Sequence, residues 1–321
     1  MIIDAGTEAA KTKNIERRTI YMMRNMPGVT LGYRTMLAVA LGVTLFGFVH
    51  AEESTIEPAR GWRFRVFAQD LPAVDNLVFA GDGQLYATVE QPNGQGQIVR
   101  LRSGTVEPVL GDIKSPGGMY AKGKSLYLVE WIADGRALEI DLDSGAVYNL
   151  AVLRNPDGIT VGREGEVFVT EDLVNGRVLR IGRTGQTEVV VGGLNRPGGV
   201  CHGKKGMLYI AETGTGRVLS YMNGTMRTVV EDLDEPDEIQ CAPDGSLWIT
   251  EGTNPGTLLH LRDGQLETIL GGLMFPQGVA VRTDGRVYLA ERGRNRVLVV
   301  SENGGKAAAD AAPAPAPRNG R

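Results

Sequence analysis

From about Gly61 to Asn303 one pattern of apolar and polar positions returns six times. A short apolar run begins near a proline, a polar turn follows, and a second apolar run ends in glutamate. The segments read "AVDNLVFAGDGQLYATVE", "SPGGMYAKGKSLYLVE", "NPDGITVGREGEVFVTE", "RPGGVCHGKKGMLYIAE", "EPDEIQCAPDGSLWITE" and "FPQGVAVRTDGRVYLAE", closing on Glu90, Glu130, Glu171, Glu212, Glu251 and Glu291. The glutamates are spaced 39 to 41 residues apart. Each unit continues with a third run such as "GRVLRI" and a fourth such as "TEVVVGGL". Short alternating runs bounded by turn residues predict strands, and four strands in a repeat of about 40 residues predict a propeller blade. Six units predict an all-β six-bladed propeller with four-stranded antiparallel blades.

The sixth unit stops after "RVLVVSENGG" with no fourth strand. "WRFRVFAQDL", Trp62 to Leu71, lines up with the fourth strands "TMRTVVEDL" and "QLETILGGL". The N-terminal strand is therefore expected to complete the last blade and so remove the free edges of an open array. Forty-four glycines and 6% aromatic residues agree with many tight turns and few helices.

Outside the repeats, "TMLAVALGVTLFGFVHA" is an apolar stretch shorter than the roughly 20 residues a membrane helix needs. It ends in Val49, His50 and Ala51 before two glutamates. Residues 1–51 are read as an N-terminal extension and signal peptide cleaved after Ala51, with an uncleaved membrane anchor as the alternative and with translation starting at Met1 or at one of Met22, Met23 or Met26. The mature protein is then expected to be periplasmic or secreted, with no membrane association after cleavage. The Ala/Pro-rich stretch 304–321 is read as a disordered tail. A net charge of -4 and a pI near 5.6, with no basic stripe, argue against nucleic acid as a partner.

The repeated glutamates read as scaffold. In five units the glutamate lies three residues after the strand aromatic, and in four an arginine (Arg136, Arg177, Arg217, Arg296) follows it by five or six. Opposite charges across a hairpin add a few tenths to about 1 kcal/mol. Glu90 lies four residues after Tyr86, which alternation puts on the other face, and it has Gln97 in place of the arginine. Glu251 has Thr257 there, so these two glutamates are the more available for chemistry.

Departures from the pattern are where chemistry is sought. After the proline, the variable and glycine positions read Asp75-Asn76, Gly117-Gly118, Asp157-Gly158, Gly198-Gly199, Asp237-Glu238 and Gln277-Gly278. Aspartate recurs on alternate blades, and innermost strands would aim the three toward one point at the channel mouth. Converging carboxylates repel, which raises their pKa values unless a cation neutralises them. A divalent cation is one answer, calcium in particular, with its six to eight oxygen ligands. The other reading is local, because Asp at a turn also bonds nearby amides.

"PQGVAVRTDGRVYLAERGRNRVLVV" resembles an NHL repeat, and the whole set is similar to the gluconolactonase, paraoxonase and strictosidine-synthase-like propellers. "VDNLVFAGDGQLY" is similar to the paraoxonase stretch that supplies an Asp-Asn pair to a catalytic calcium. The resemblance implies Asp75, Asn76, Asp157 and Asp237 as metal ligands, Glu238 beside them, and a small-molecule substrate in the channel mouth. Gly117 and Gly198 depart from it, since relatives carry an asparagine ligand on such blades. His202 and His260 fall at no strand mouth, so the histidines of paraoxonases and of virginiamycin B lyase have no counterpart.

The expected activity is calcium-dependent hydrolysis of a lactone or related ester, with Glu238 or Asp237 as general base. A non-catalytic NHL-type propeller binding a protein or ligand is the alternative, and a lyase or condensing enzyme using Glu251 is the third. Cys201 lies four residues after its proline and Cys241 five after its own, so they are expected to face opposite ways and to remain unpaired.

Overall fold

The structure is a computed structural model that describes residues 55–91, 95–103, 105–182 and 184–304. The signal segment, its cleavage site and the tail beyond residue 304 lie outside the described residues. The described chain forms six antiparallel sheets, each with its strands in the order expected of a propeller blade. Among the described residues the only helical turns are three 3-10 turns at Lys204–Gly206, Thr213–Thr215 and Arg292–Arg294.

Blade one contains Leu77–Phe79, Leu85–Glu90, Gln95–Arg102 and Thr105–Lys114. Inner strands of the next five blades begin at Pro116, Pro156, Pro197, Pro236 and Pro276. The ring closes as expected: Trp62–Ala68 pairs antiparallel with Arg296–Glu302, with Trp62 opposite Glu302 and Val66 opposite Leu298. The two-residue strand Glu57–Pro58 comes before it and pairs with Gly271 and Leu270 on the outer edge of blade five. The N-terminal segment thus contributes to two blades.

Burial follows from stacking sheets face to face. Six hydrophobic clusters fill the six interfaces between neighbouring blades. Ile98 of blade one packs with Leu126 and Leu138 of blade two, and Tyr288 of blade six packs with Leu77 and Val99 of blade one. Removing this apolar surface from water is the main stabilising term. The outer strand Thr225–Val230 is exposed at five of its six residues, so the core lies between and inside the blades.

The two cysteines, expected to remain unpaired, are joined. Cys201 and Cys241 form a disulfide, with Cα atoms 5.6 Å apart. Cys241 is paired with Leu247, as His202 is with Leu208, whereas Cys201 is paired one step earlier, with Tyr209. The two cysteines therefore do point to opposite faces of their own sheets. Neighbouring blades, however, meet through opposite faces, so the difference in parity brings the sulfurs together. Both belong to the cluster between blades four and five.

Candidate active site at the channel mouth

Each second strand ends in a glutamate whose surroundings explain its repetition. Glu130, Glu171, Glu212 and Glu291 are almost completely buried. Their Oε1 atoms accept the backbone N–H groups of Lys114, Arg154, Asn195 and Met274, at 2.9, 3.1, 2.9 and 3.0 Å. Those amides lie just before the proline that opens the same blade. Arg136, Arg177, Arg217 and Arg296 pair with the same carboxylates at 2.6 to 2.7 Å. The glutamate ties the crossover from one blade to the body of the next.

Glu251 belongs by its contacts to this set: it accepts from Asp234 N at 2.7 Å and from the Thr257 hydroxyl at 2.5 Å. Its occupied oxygens make it blade hardware, although its arginine is missing. Glu90 is different. Blade one holds unbroken register from Leu85 to Glu90, so buried Val89 takes the scaffold position and Glu90 lies one residue beyond. It accepts instead from Ser115 Oγ at 3.0 Å and Arg292 Nη2 at 3.1 Å.

The mouth is built by bulges. In blades two to six the pairing of inner and second strands slips between the proline and the third residue after it. A bulge re-aims the side chains it carries, and these are the variable and glycine positions singled out in the sequence. Backbones crowd there. A Cβ on Gly118 would lie 2.4 Å from Asp157 O, and one on Gly158 2.7 Å from Gly198 O. Of the six glycine positions only those held by Asn76 and Glu238 carry a side chain, and the two meet: Asn76 Nδ2 donates to Glu238 Oε1 at 2.8 Å.

Gly199 makes room for this pair, since its Cβ would fall 2.8 Å from Glu238 Oε2. A cavity of about 20 Å³, lined in part by Asn76, Glu238 and Cys201, lies against it and is large enough for one water. Glu238 is half-buried. Burial, followed by repulsion from Asp157, Asp237 and Asp75, pushes its pKa well above the usual carboxylate range. Gln277 Nε2 donates to Asp237 Oδ2 at 2.7 Å. Gly198, where an aspartate was absent, has its reason: a Cβ there would meet Asp237 O at 2.7 Å and Asp237 Oδ1 at 3.4 Å.

The sequence reading missed three residues of the mouth. Thr88, Thr170 and Thr250 are fully buried, and their hydroxyls accept the backbone N–H groups of Asn76, Gly158 and Glu238 at 2.9, 2.7 and 3.2 Å. They stand on the three blades that carry aspartate. The signal was present as "ATVE", "VTE" and "ITE" against "LVE", "IAE" and "LAE". Gln277 and Arg292 were missed as well, because their partners lie on other blades.

The expected calcium does not fit this arrangement. The donors have suitable chemistry, being oxygens of aspartate, glutamate and asparagine. Yet Asp75 is bound by the Arg292 guanidinium, Asp237 by the Gln277 amide and Glu238 by the Asn76 amide. Among the described residues no three histidine, cysteine, aspartate or glutamate side chains are gathered so as to hold a metal ion.

His202 and His260 pack away from the mouth, His202 on Phe168 and His260 stacked on Trp248 at 4.0 Å. A groove of about 880 Å³ lined by Trp62, Trp248 and His260 opens at the other end of blades five and six. It is roomier than the mouth, but its Arg262 and Arg286 are spent on Asp244 and Asp284.

No protein-family model and no curated protein matches the chain. Solved structures do. A gluconolactonase of Xanthomonas campestris superimposes with a TM-score of 0.64 at 16% identity, covering 77% of this chain and 91% of that one. A streptogramin B lyase gives 0.56 at 16% identity, covering 75% and 98%. Virginiamycin B lyase of Staphylococcus aureus gives 0.54 at 14% identity, covering 75% and 100%. At such identities the likeness establishes the propeller fold.

Proposed function

We propose that the channel mouth is the active site of an exported hydrolase that opens lactones or related esters, with Glu238 as proton donor and Asp237 as base. The observation that carries this reading is the Glu238–Asn76 pair, whose carboxyl feels the charges of three aspartates. Because Oε1 of Glu238 accepts from Asn76, its proton belongs on Oε2, the oxygen above Gly199. A carboxylic acid held neutral by burial and like charges is a standard device for proton transfer near neutral pH. Asp237 is oriented through Oδ2 by Gln277, which leaves Oδ1 to accept the proton of an attacking water.

In the reaction Asp237 takes a proton from that water, the oxygen attacks the carbonyl carbon, and the ester C–O bond breaks. Glu238 gives its proton to the leaving alkoxide and recovers one when Asp237 is relieved of its own. No step runs through a metal ion. Likeness to a gluconolactonase supports the substrate class, and likeness to a streptogramin B lyase supports a second outcome, in which the same acid and base break the C–O bond without water. The Cys201–Cys241 disulfide supports export, since such bonds persist in oxidising compartments.

The test is turnover of a lactone and aryl-ester panel by the wild type and by Glu238→Gln. Loss of a general acid removes about 10²- to 10⁴-fold of the rate. A folded wild type that turns over nothing on the panel would place the protein among binding propellers. Unsaturated products in place of hydroxy acids would assign it to the lyases.

A further inference from the structure

We propose that Arg292 is the resident cation of this mouth, filling the position that a divalent ion would otherwise take at the seam between blades six and one. Arg292 opens the 3-10 turn that follows the second strand of blade six. Its guanidinium reaches across the seam to blade one. Nη1 donates to Asp75 Oδ2 and, at 3.2 Å, to the carbonyl oxygen of Ala73, while Nη2 donates to Glu90 Oε2 at 3.1 Å. Two carboxylates and a backbone carbonyl are the donors a hard divalent cation uses. Here they surround an arginine.

A second observation concerns the position itself. The residues that follow the second strand's last glutamate in the six blades are Gln91, Trp131, Asp172, Thr213, Gly252 and Arg292. Only blade six has a cation there, and it faces the only blade whose glutamate has slipped out of the scaffold register. Glu90 lacks the local arginine that Glu130, Glu171, Glu212 and Glu291 keep, and receives one from the neighbouring blade. Its second oxygen takes the hydroxyl of Ser115, on the way into blade two. Arg292, Glu90 and Ser115 therefore form a hydrogen-bonded line across three consecutive blades.

Asp75 is also one of the three charges that repel Glu238. Arg292 pairs with Asp75 from the blade-six side, while Glu238 is held from blade one by Asn76. A guanidinium stays charged at every pH the fold survives. The inference does not rest on the hydrolase reading, since it concerns ion binding in the absence of substrate.

Isothermal titration with calcium chloride and with magnesium chloride, on chelator-treated wild type and on Arg292→Met, tests it. Thermal melting is recorded in parallel. The wild type is expected to take up neither ion and to melt at one temperature with calcium or with chelator. Arg292→Met is expected to melt several degrees lower, to bind calcium in the millimolar range or tighter, and to recover part of the loss when it does. Arg292→Lys, which keeps a positive charge but not the fork, is expected to bind no calcium. Saturable uptake by the wild type overturns the proposal even if no variant folds. Absence of uptake by a folded Arg292→Met overturns it equally.

Discussion

Glu212 and Glu238 lie on adjacent blades, both enclosed by the fold, and the protein treats them in opposite ways. Burial pushes the Glu212 carboxyl up, but hydrogen bonds from Thr215, from Asn195 N and from Arg217 outweigh it, and its pKa ends below the usual range. Burial pushes Glu238 up too, and three aspartates add to the effect. Glu238 receives the Asn76 amide and a backbone N–H from Ile239, both neutral, where Glu212 receives a guanidinium, a hydroxyl and a backbone N–H. Desolvation alone therefore says little about what a buried carboxyl does; the supply of donors decides. Where the repeat supplies a cation the carboxyl is held below the usual range, and where three aspartates stand in its place the carboxyl is pushed above it.

The comparison can be broken first at the covalent link that holds the mouth strands of both blades. The Cys201–Cys241 bond closes a loop of 40 residues, for which chain-entropy arguments give roughly 4 kcal/mol. Cys201→Ser with Cys241→Ser is expected to lower stability by about that amount in denaturant titration, and reduction of the wild type should do the same. A double variant with wild-type stability would show that packing between blades four and five holds these strands unaided. Removing a scaffold carboxylate should cost less. Glu212→Ala leaves the amide of Asn195 without its acceptor, which costs about 1–3 kcal/mol, while Arg217, already 39% exposed, regains water. The expected fall in melting temperature is about 2–4 °C for each kcal/mol, and an unchanged value would remove Glu212 from the scaffold.

The propeller was legible because each blade repeats local rules: alternation, turn residues and a period near 40 residues. The ring closure by Trp62–Ala68 was legible for the same reason, as a displaced copy of a fourth strand. Contacts between blades were harder to read. The disulfide was misjudged because alternation was counted within each sheet, whereas the sulfurs meet between sheets. Glu251 looked available because its arginine was missing, yet Thr257 at the same place donates a hydroxyl. Asp75, Asp157, Asp237 and Glu238 were visible as breaks in the repeat, and the structure brings the three aspartates close enough to act on Glu238. What the breaks could not disclose was Arg292, which lies 217 residues from Asp75 in sequence and obeys no period.

The smallest expected effect is also the one of opposite sign. Glu238 binds its proton more tightly in the folded than in the unfolded protein, so between the ordinary glutamate range and its raised value the native state holds more protons. Stability then falls as pH rises through that window. Glu212 behaves conversely: its contribution is present above the ordinary range and is lost as pH falls through its lowered value. Glu238→Gln, which keeps the shape of the neutral side chain and cannot ionise, should melt close to the wild type in acid and above it at alkaline pH. Glu212→Gln should melt below the wild type near neutrality and approach it in acid. Melting temperatures of the three proteins across pH resolve both trends. If Glu238→Gln ran parallel to the wild type at every pH, Glu238 would be an ordinary carboxylate and the proton-donor role proposed for it would fail.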